Sequence, residues 1–289
     1  MSSTWFAAQL QNRSGLMVVA ARCTHWYCDH HQNRCIMQRM PQVATVARLS
    51  DVAQDQWGLV TRQQARDAGV SQATLERLSA DGSVLERVDH GVYRLTGAPI
   101  PDQMQIRAAW LRLAPSVPRW KRTLDQGVVS HRSAASLYGV GHLAADRHEF
   151  TVPTRRQSRR EDLRFHVRPR GPGKWIEHSG LPVTRPSRIA SDLLLDHEDP
   201  EAVAQIVTDS ISAVYDYPGT FAQALAPHAA RFGFRRDDGL GLLRWLLELV
   251  GDRDSERWMQ EARDSSERAH PAVERDGWST APAATFGSV

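Results

Sequence analysis

Three polar residues, Gln72, Thr74 and Arg77, have types and spacing suited to hydrogen bonding with base edges. If their segment is a helix, Leu75 and Leu78 lie three positions apart on its inner face and leave the polar side chains outside. Glutamine pairs bidentately with adenine and arginine with guanine, and each such contact discriminates between bases by about 1–3 kcal/mol. The spacing therefore predicts a helix that presents a base-reading face.

The residues around this helix have the chemistry to hold a nucleic-acid backbone. Ser71 stands at the predicted helix N-terminus, where a hydroxyl and free N–H groups suit a phosphate. Arg62 and Gln63 precede it, and we expect them to contact the backbone alongside. His90 and Arg94 follow in a predicted hairpin, from which they are expected to reach phosphate or the minor groove.

The elements that must position these side chains are short helices followed by a hairpin. Apolar residues recur at helical spacing over residues 44–57. Thr61 is then placed to cap a helix over 62–68, and Ser71 to cap a second over 72–80. This order predicts a helix–turn–helix, which sets one helix end into the major groove.

Two extended segments, 85–88 and 92–95, complete this part of the chain. The loop between them, Asp89-His90-Gly91, is typical of a three-residue hairpin turn. Together these elements predict a winged helix over residues 44–97. A helix–turn–helix used only for packing or partner contact is the alternative, and residues 44–97 hold six arginines against seven acidic residues. DNA binding therefore requires a contact face that is more positive than the whole segment.

The strongest positive charge lies later, between residues 155 and 174. This segment holds seven arginines and one lysine against two acidic residues, a net charge of +6. We expect a loop between two strands to clamp phosphate through four arginines: Arg155, Arg156, Arg159 and Arg160. The alternatives are a solvated arginine-rich hairpin without a ligand and a patch for an acidic protein.

The remainder of the chain mixes strands with helices. Strands are predicted at 149–152, 163–167 and 181–184, and helices follow from residue 200 to residue 250. The fold class is therefore α+β, with an N-terminal winged helix and a mixed α/β second domain whose C-terminal part is helical. The expected divisions are an irregular leader (1–43), the winged helix (44–97), the second domain (102–250) and a partly disordered tail (251–289).

Composition excludes several classes of protein. No run of about 18 apolar residues occurs that could span a membrane. The three cysteines lie before residue 40, and an odd count in one segment argues for a reducing, cytoplasmic compartment rather than a disulfide framework. The net charge of +3 is weak evidence for nucleic acid, because only two of the 36 basic residues are lysine and such a bias often reflects a GC-rich genome.

The leader is not predicted to hold a metal site. Six soft ligands occur there within thirteen residues: Cys23, His25, Cys28, His30, His31 and Cys35. The C-x4-C-x6-C spacing matches no compact zinc module, and a closed site needs four ligands held by structure. The leader is interpreted as irregular, or as sequence upstream of a true start at Met37 or Met40.

Catalytic signatures are scarce, so no enzyme, catalytic residue or cofactor is predicted. The sequence has no Gly-rich phosphate loop, no H-E-x-x-H and no G-x-S-x-G. Two pairs of adjacent polar residues do occur: Ser130-His131 and His148-Glu149. Neighbours in a strand point to opposite faces, so neither pair is expected to form a relay. Asp192 and Asp196 share a helix face and are interpreted as solvated surface.

Several segments resemble a known family. Ala53 to Leu95 contains A-Q-D-Q-W-G-L-V-T-R-Q-Q-A-R-D-A-G-V-S-Q-A-T-L-E-R-L and G-S-V-L-E-R-V-D-H-G-V-Y-R-L. It resembles the N-terminal domain of AbiEi-type antitoxins of type IV toxin–antitoxin systems. The likeness continues through V-V-S-H-R-S-A-A-S-L-Y-G at 128–139, F-T-V-P at 150–153 and G-L-P-V-T-R-P-S-R at 180–188.

The resemblance implies a winged helix followed by an antitoxin domain, covering about residues 44–250. It implies repression of the protein's own operon and neutralisation of a nucleotidyltransferase-like toxin, directly or indirectly. Operator contacts then fall to Gln72, Thr74 and Arg77, and the basic hairpin assists DNA binding or serves neutralisation. The expected partners are double-stranded operator DNA and the toxin, with no membrane partner. A homodimer on two half-sites is an option.

Two other functions remain as alternatives. The same motifs also resemble a layout in which a small endonuclease domain follows, but such a site needs clustered carboxylates and a lysine. No lysine follows Arg188, so nuclease activity is the second choice. The other alternative is a winged helix that docks a protein and does not bind DNA.

Overall fold

The computed structural model describes residues 33–158, 160–167 and 174–269, with side chains described from residue 42 to residue 265. The chain divides into two units, Met1–Thr45 and Val46–Val289. Within the first unit the structure describes the beginning of helix α1 (Asn33–Ala53). The sequence predicted an irregular leader up to residue 43, whereas α1 already begins at Asn33. Every contact discussed below lies within the second unit.

The N-terminal region, residues 46–97, contains the predicted helices and hairpin and one further strand. Its elements after α1 are β1 (Leu59–Thr61), α2 (Arg62–Asp67), α3 (Gln72–Ser79), β2 (Leu85–Asp89) and β3 (Val92–Leu95). The three strands form an antiparallel sheet in the order β1-β3-β2. The short strand β1 was not predicted. Helix α1 also ends earlier than expected, because a 3₁₀ turn at 54–56 and a left-handed Trp57 follow it.

The predicted caps of α2 and α3 are confirmed. The Thr61 hydroxyl accepts from the Gln64 N–H at 3.1 Å, and the Gln64 side chain accepts from the Thr61 N–H at 3.0 Å. Ser71 Oγ accepts from the Thr74 N–H at 3.2 Å. Each cap satisfies amide groups that have no partner inside the helix, so these boundaries follow from local chemistry.

The predicted core of this region is also confirmed. Leu75 and Leu78 are buried on the inner face of α3. Ala65 and Val70 are buried beneath them in the same cluster. The opposite side of α3 is thereby left to its polar residues.

The second region begins with helix α4 and a mixed five-stranded sheet. The elements are α4 (Met104–Leu113), β4 (Val128–Val129), α5 (His131–Tyr138), β5 (His148–Val152), β6 (Leu163–Val167), β7 (Trp175–His178) and β8 (Leu181–Thr184). The strand order is β6-β5-β4-β8-β7. Pairs β4–β8 and β5–β6 are parallel, and pairs β4–β5 and β7–β8 are antiparallel. Strands β6 and β8 have the predicted bounds, whereas β7 was not predicted.

Helices complete the fold, which is a mixed α+β architecture. They are α6 (Pro186–Leu195), α7 (Pro200–Ser212), α8 (Pro218–Leu225), α9 (Gly239–Leu249) and α10 (Ser255–Ala269). Helix α10 lies in the segment assigned to the tail, and its Trp258, Met259 and Ala262 are buried in the core. The helical part therefore continues past residue 250, because these apolar residues form a stripe facing α8 and α9.

The two regions share one core. Leu59 and Val92 of the N-terminal region belong to the same buried cluster as Trp110 and Phe150. Helix α4 packs directly on β2. The Thr96–Pro101 segment, predicted as a linker between domains, therefore joins two regions that are packed together. Among the described helices, none has the length and apolar character needed to cross a membrane.

Candidate functional site

The outer face of α3 carries the predicted base-reading residues. Ser71, Gln72 and Arg77 are exposed, and Thr74 is half-buried. Gln72 Nε2 donates to Glu76 Oε1 at 2.5 Å, and the hydroxyl oxygens of Ser71 and Thr74 lie 2.9 Å apart. Arg77 thus lies on the same exposed helix as Gln72, whose amide keeps a second N–H and its oxygen beyond the bond to Glu76.

The start of α2 lies beside the β2–β3 hairpin turn. Arg62 is exposed, and its backbone N–H donates to the Gly91 carbonyl at 2.8 Å. Gly91 adopts φ +73°, a left-handed conformation that favours glycine. Gln63 is half-buried and donates to Asp67 Oδ1 at 3.0 Å. The backbone bond therefore holds Arg62 next to the hairpin tip.

The hairpin presents one predicted side chain and one that the sequence reasoning missed. His90 is exposed, and its Nδ1 lies 3.2 Å from an Arg87 guanidinium nitrogen. Arg87 is exposed as well. Strand alternation gave no signal for Arg87, because it places residue 87 on the same face as the buried Leu85, and the bulge in β2 comes only after it, between Arg87 and Asp89.

Arg94 does not lie on the contact surface. It is 6% exposed and lies on β3, the central strand of the sheet. Its guanidinium binds Glu86 at 2.6 Å and donates to the Ala98 carbonyl at 2.8 Å. The expectation that Arg94 is presented on the surface is corrected: this buried arginine links β3 to the neighbouring strand and to the chain that follows.

The basic loop before β6 divides into two parts. Arg155 and Arg156 are exposed, and Arg156 donates to the Leu113 carbonyl at 3.1 Å. Arg160 is only half-exposed and pairs with Asp89 of the hairpin at 2.9 Å and with Asp162. Hydrogen bonding to Asp162 raises the pKa of the Arg160 guanidinium. Of the four arginines predicted to clamp phosphate, Arg155 and Arg156 are therefore exposed, whereas Arg160 is held in ion pairs. Arg159 lies outside the described residues.

Asp89 connects the hairpin to the second region. Its Oδ2 accepts from Arg112 on α4 at 2.8 Å, while its Oδ1 accepts from Arg160. Two arginines of the second region thus neutralise a carboxylate beside His90, and the sequence did not indicate this pairing.

The structure corrects two expectations about polar side chains. Ser130 Oγ lies 3.0 Å from His131 Nδ1, because these neighbours are not in a strand and His131 has φ +54°. The expectation that adjacent side chains point apart is wrong here. Asp192 is 2% exposed and pairs with Arg188 at 2.7 Å, so it is not solvated surface.

Cys23 and Cys28 lie outside the described residues, and Cys35 lies in α1 with its side chain outside the description.

Comparison with known families finds a match in the N-terminal region. Residues 47–96 match the family described as "Transcriptional regulator, AbiEi antitoxin". The resemblance to AbiEi-type antitoxins is thereby confirmed over these residues. The AbiEi match runs from α1 to the end of the hairpin and includes every base-reading candidate on α3. No curated protein matches the chain.

Proposed function

We propose that this protein is an antitoxin and transcriptional autorepressor that binds operator DNA through residues 46–97, folded as a winged helix. It neutralises a nucleotidyltransferase-like toxin and acts without catalysis. The observation that carries the proposal is the exposed polar face of α3, inside the segment that matches the AbiEi regulators. A homodimer on two half-sites would match the symmetry of a palindromic operator.

In the proposed complex, the N-terminal half of α3 enters the major groove. Arg77 binds guanine, and Gln72 binds adenine through its amide oxygen and N–H. Thr74 contributes through its hydroxyl, and Ser71 meets a phosphate at the helix N-terminus. Leu75 anchors this helix from behind, so its outer face is presented rigidly.

Phosphate contacts flank the helix in this proposal. The backbone hydrogen bond from Arg62 to Gly91 places Arg62 beside His90, the residue before Gly91. In this proposal both side chains therefore approach the same stretch of DNA backbone. Arg87 joins them from the hairpin. Arg155 and Arg156 extend the positive surface, and Arg160 acts indirectly through Asp89.

Residues 44–97 hold more acidic residues than arginines, which disfavours DNA binding. The ion pairs of two of these acidic residues support it nonetheless. Asp89 is paired with two arginines of the second region, and Glu86 with Arg94. Paired carboxylates repel a phosphate backbone less than free ones do. The second region thus neutralises Asp89, one acidic residue of the face that approaches DNA in this proposal.

The test is binding of the full chain to its own upstream DNA and to a scrambled duplex, across a salt series. Arg77→Ala is expected to weaken operator binding about 5- to 150-fold, the equivalent of about 1–3 kcal/mol, and to reduce the preference over the scrambled duplex. Arg87→Ala is expected to weaken both duplexes equally and lower the salt slope by about one. Arg253→Ala, an exposed arginine outside the proposed face, is the matched control.

Unchanged operator affinity in Arg77→Ala, with normal folding, would sink the base-reading proposal and favour protein docking. Neutralisation is tested separately, by co-expression with the cognate nucleotidyltransferase-like toxin. Arg77→Ala is expected to keep protecting cells while it loses repression, because the second region supplies neutralisation. Metal-dependent cutting of DNA by the purified chain would instead support the nuclease alternative.

A further inference from the structure

Three buried side chains from three elements meet at one end of the second region. His131 is the first residue of α5, Glu149 lies on β5 and His166 on β6, and they are 1%, 5% and 7% exposed. One possible ligand atom from each lies within 4.8 Å of the other two. His166 Nε2 is 3.0 Å from Glu149 Oε2. We call these three residues the His-Glu-His cluster.

The parallel pairing of β5 and β6 brings two members together. Thr151 pairs with His166 and Glu149 with Arg164, so Glu149 and His166 are diagonal neighbours on the same face of the sheet. His131 reaches this face from α5 with a left-handed backbone, φ +54°. Such a conformation is costly for a residue with a side chain, and it persists where the surrounding structure holds it in place, commonly at functional sites.

Each imidazole has an oxygen beside its Nδ1 that lies outside the cluster. Ser130 Oγ is 3.0 Å from His131 Nδ1, and Asp196 Oδ2 is 3.4 Å from His166 Nδ1. Histidines that bind metals usually donate their other N–H to a carboxylate or to another oxygen, which fixes the tautomer and the ring orientation. Outer oxygens thus lie beside the Nδ1 atoms of both rings, and Asp196 Oδ2 also lies 3.8 Å from His131 Nε2.

The charges around the cluster call for an additional cation. At its rim, Arg164 pairs with Asp196 at 3.3 Å and Arg132 pairs with Glu198 at 2.5 Å. Among the described residues, Glu149 hydrogen-bonds to His166 inside the cluster. A buried carboxylate is costly unless a positive charge compensates it. A divalent ion would supply that charge.

An entry path is also present. A polar cavity of about 130 Å³ is lined by His131 and Glu149, together with Arg132, Arg164 and Asp196. An ion could reach the cluster through this opening and keep one coordination position facing the cavity.

We propose that His131, Glu149 and His166 bind a divalent transition-metal ion of the zinc class. Two imidazole nitrogens and one carboxylate oxygen suit Zn²⁺, whereas Mg²⁺ and Ca²⁺ prefer oxygen ligands throughout. The two rings are stacked, with centroids 3.4 Å apart and planes inclined by 13°. Binding therefore requires the rings to rotate, because each nitrogen lone pair lies in its ring plane. In such a site the three residues would hold the ion at the usual zinc–ligand distances of about 2.0–2.2 Å.

The experiment is a Zn²⁺ titration of the full chain after chelator treatment, followed by calorimetry and by competition with a chromophoric chelator. The leader contains other soft ligands, so the titration uses a chain carrying Cys23→Ser, Cys28→Ser and Cys35→Ser. One ion per chain is expected to bind to this background, and zinc is expected to raise its melting temperature.

Variants of the cluster identify the ligands. Glu149→Gln and His166→Gln are expected to abolish binding at this site, and Asp196→Asn to weaken it about 10- to 100-fold through loss of the outer carboxylate. His142→Gln, an exposed histidine, is the matched control and keeps full affinity. Circular dichroism without metal checks the folding of every variant, and Asp196→Asn remains informative if a ligand variant does not fold.

Two results would overturn the proposal. No zinc uptake by the Cys-to-Ser chain would mean that the cluster is held by hydrogen bonds alone and does not bind a metal. Uptake that persists unchanged in folded Glu149→Gln and Asp196→Asn would place the ion elsewhere.

Discussion

The Asp89 carboxylate on the hairpin lies 2.9 Å from the Arg160 guanidinium, 71 residues later in the chain. Arg112 binds its other oxygen at 2.8 Å. The hairpin turn is thus anchored to the second region from two sides. A change in the second region can therefore alter the position of the hairpin, which in the proposed function contacts DNA.

Asp89→Asn tests this anchor. Removal of the charge weakens two partly buried ion pairs, takes away the carboxylate that Arg112 binds and leaves Arg160 with Asp162 alone. We expect the free energy of unfolding to fall by about 1–3 kcal/mol, measured by urea denaturation. Asp51→Asn, at an exposed position on α1, is the control and is expected to change stability by less than about 0.5 kcal/mol. Equal stability of the two variants would contradict the anchoring role.

Gly239→Ala tests the close approach of α9 to α8. A Cβ atom at residue 239 would lie 1.9 Å from the Ala222 carbonyl oxygen, a backbone atom that cannot move independently of α8. We expect overpacking to reduce stability by about 1–3 kcal/mol or more and to lower the melting temperature. Gly97→Ala is the matched control, because a Cβ there meets no atom within 4 Å. Equal melting temperatures for the two alanine variants would contradict the close packing of α9 on α8.

Met259→Ala tests the part played by α10. Met259 is 2% exposed and packs in the main core, whereas its neighbour Gln260 is exposed. We expect Met259→Ala to reduce stability by about 2–5 kcal/mol through lost burial and the resulting cavity. Gln260→Ala should have little effect in the same urea titration. A small effect in both variants would mean that the fold ends near residue 250, as the sequence predicts.

The pH dependence of stability is tested at His228. Burial lowers the pKa of this imidazole below 6.5, and the nearby Arg231 lowers it further, against an opposing effect of Asp192. The unfolded chain therefore binds a proton at a higher pH than the folded chain does. Stability from this group is retained above about pH 6.5 and falls as the pH drops from there towards the folded-state pKa, by at most about 1.4 kcal/mol per pH unit.

We expect His228→Gln to show a shallower loss of stability between pH 7 and pH 5 than the unmodified protein. Urea unfolding at several pH values measures this slope. His142→Gln provides the exposed comparison. A slope in His228→Gln as steep as in the unmodified chain would contradict the assignment.

Local chemistry explains why the helices α2 and α3 were predictable. The caps at Thr61 and Ser71 depend on hydrogen bonds to residues three positions ahead, so the necessary partners are visible in the sequence. The same holds for the buried Leu75 and Leu78, whose spacing shows the inner face of α3. Strand β7 was missed because its four residues are only partly buried and carry no regular alternation.

Arg77 and Arg94 show where sequence reasoning stops. The sequence by itself determined that Arg77 stands on the outer face of a capped helix, because helix period and caps act over a few residues. Only the tertiary structure decided that Arg94 is buried beside Glu86, and that His131, Glu149 and His166 meet. Burial and charge pairing depend on which distant segments pack together, and the shared core and strand order settle that packing after local elements have formed.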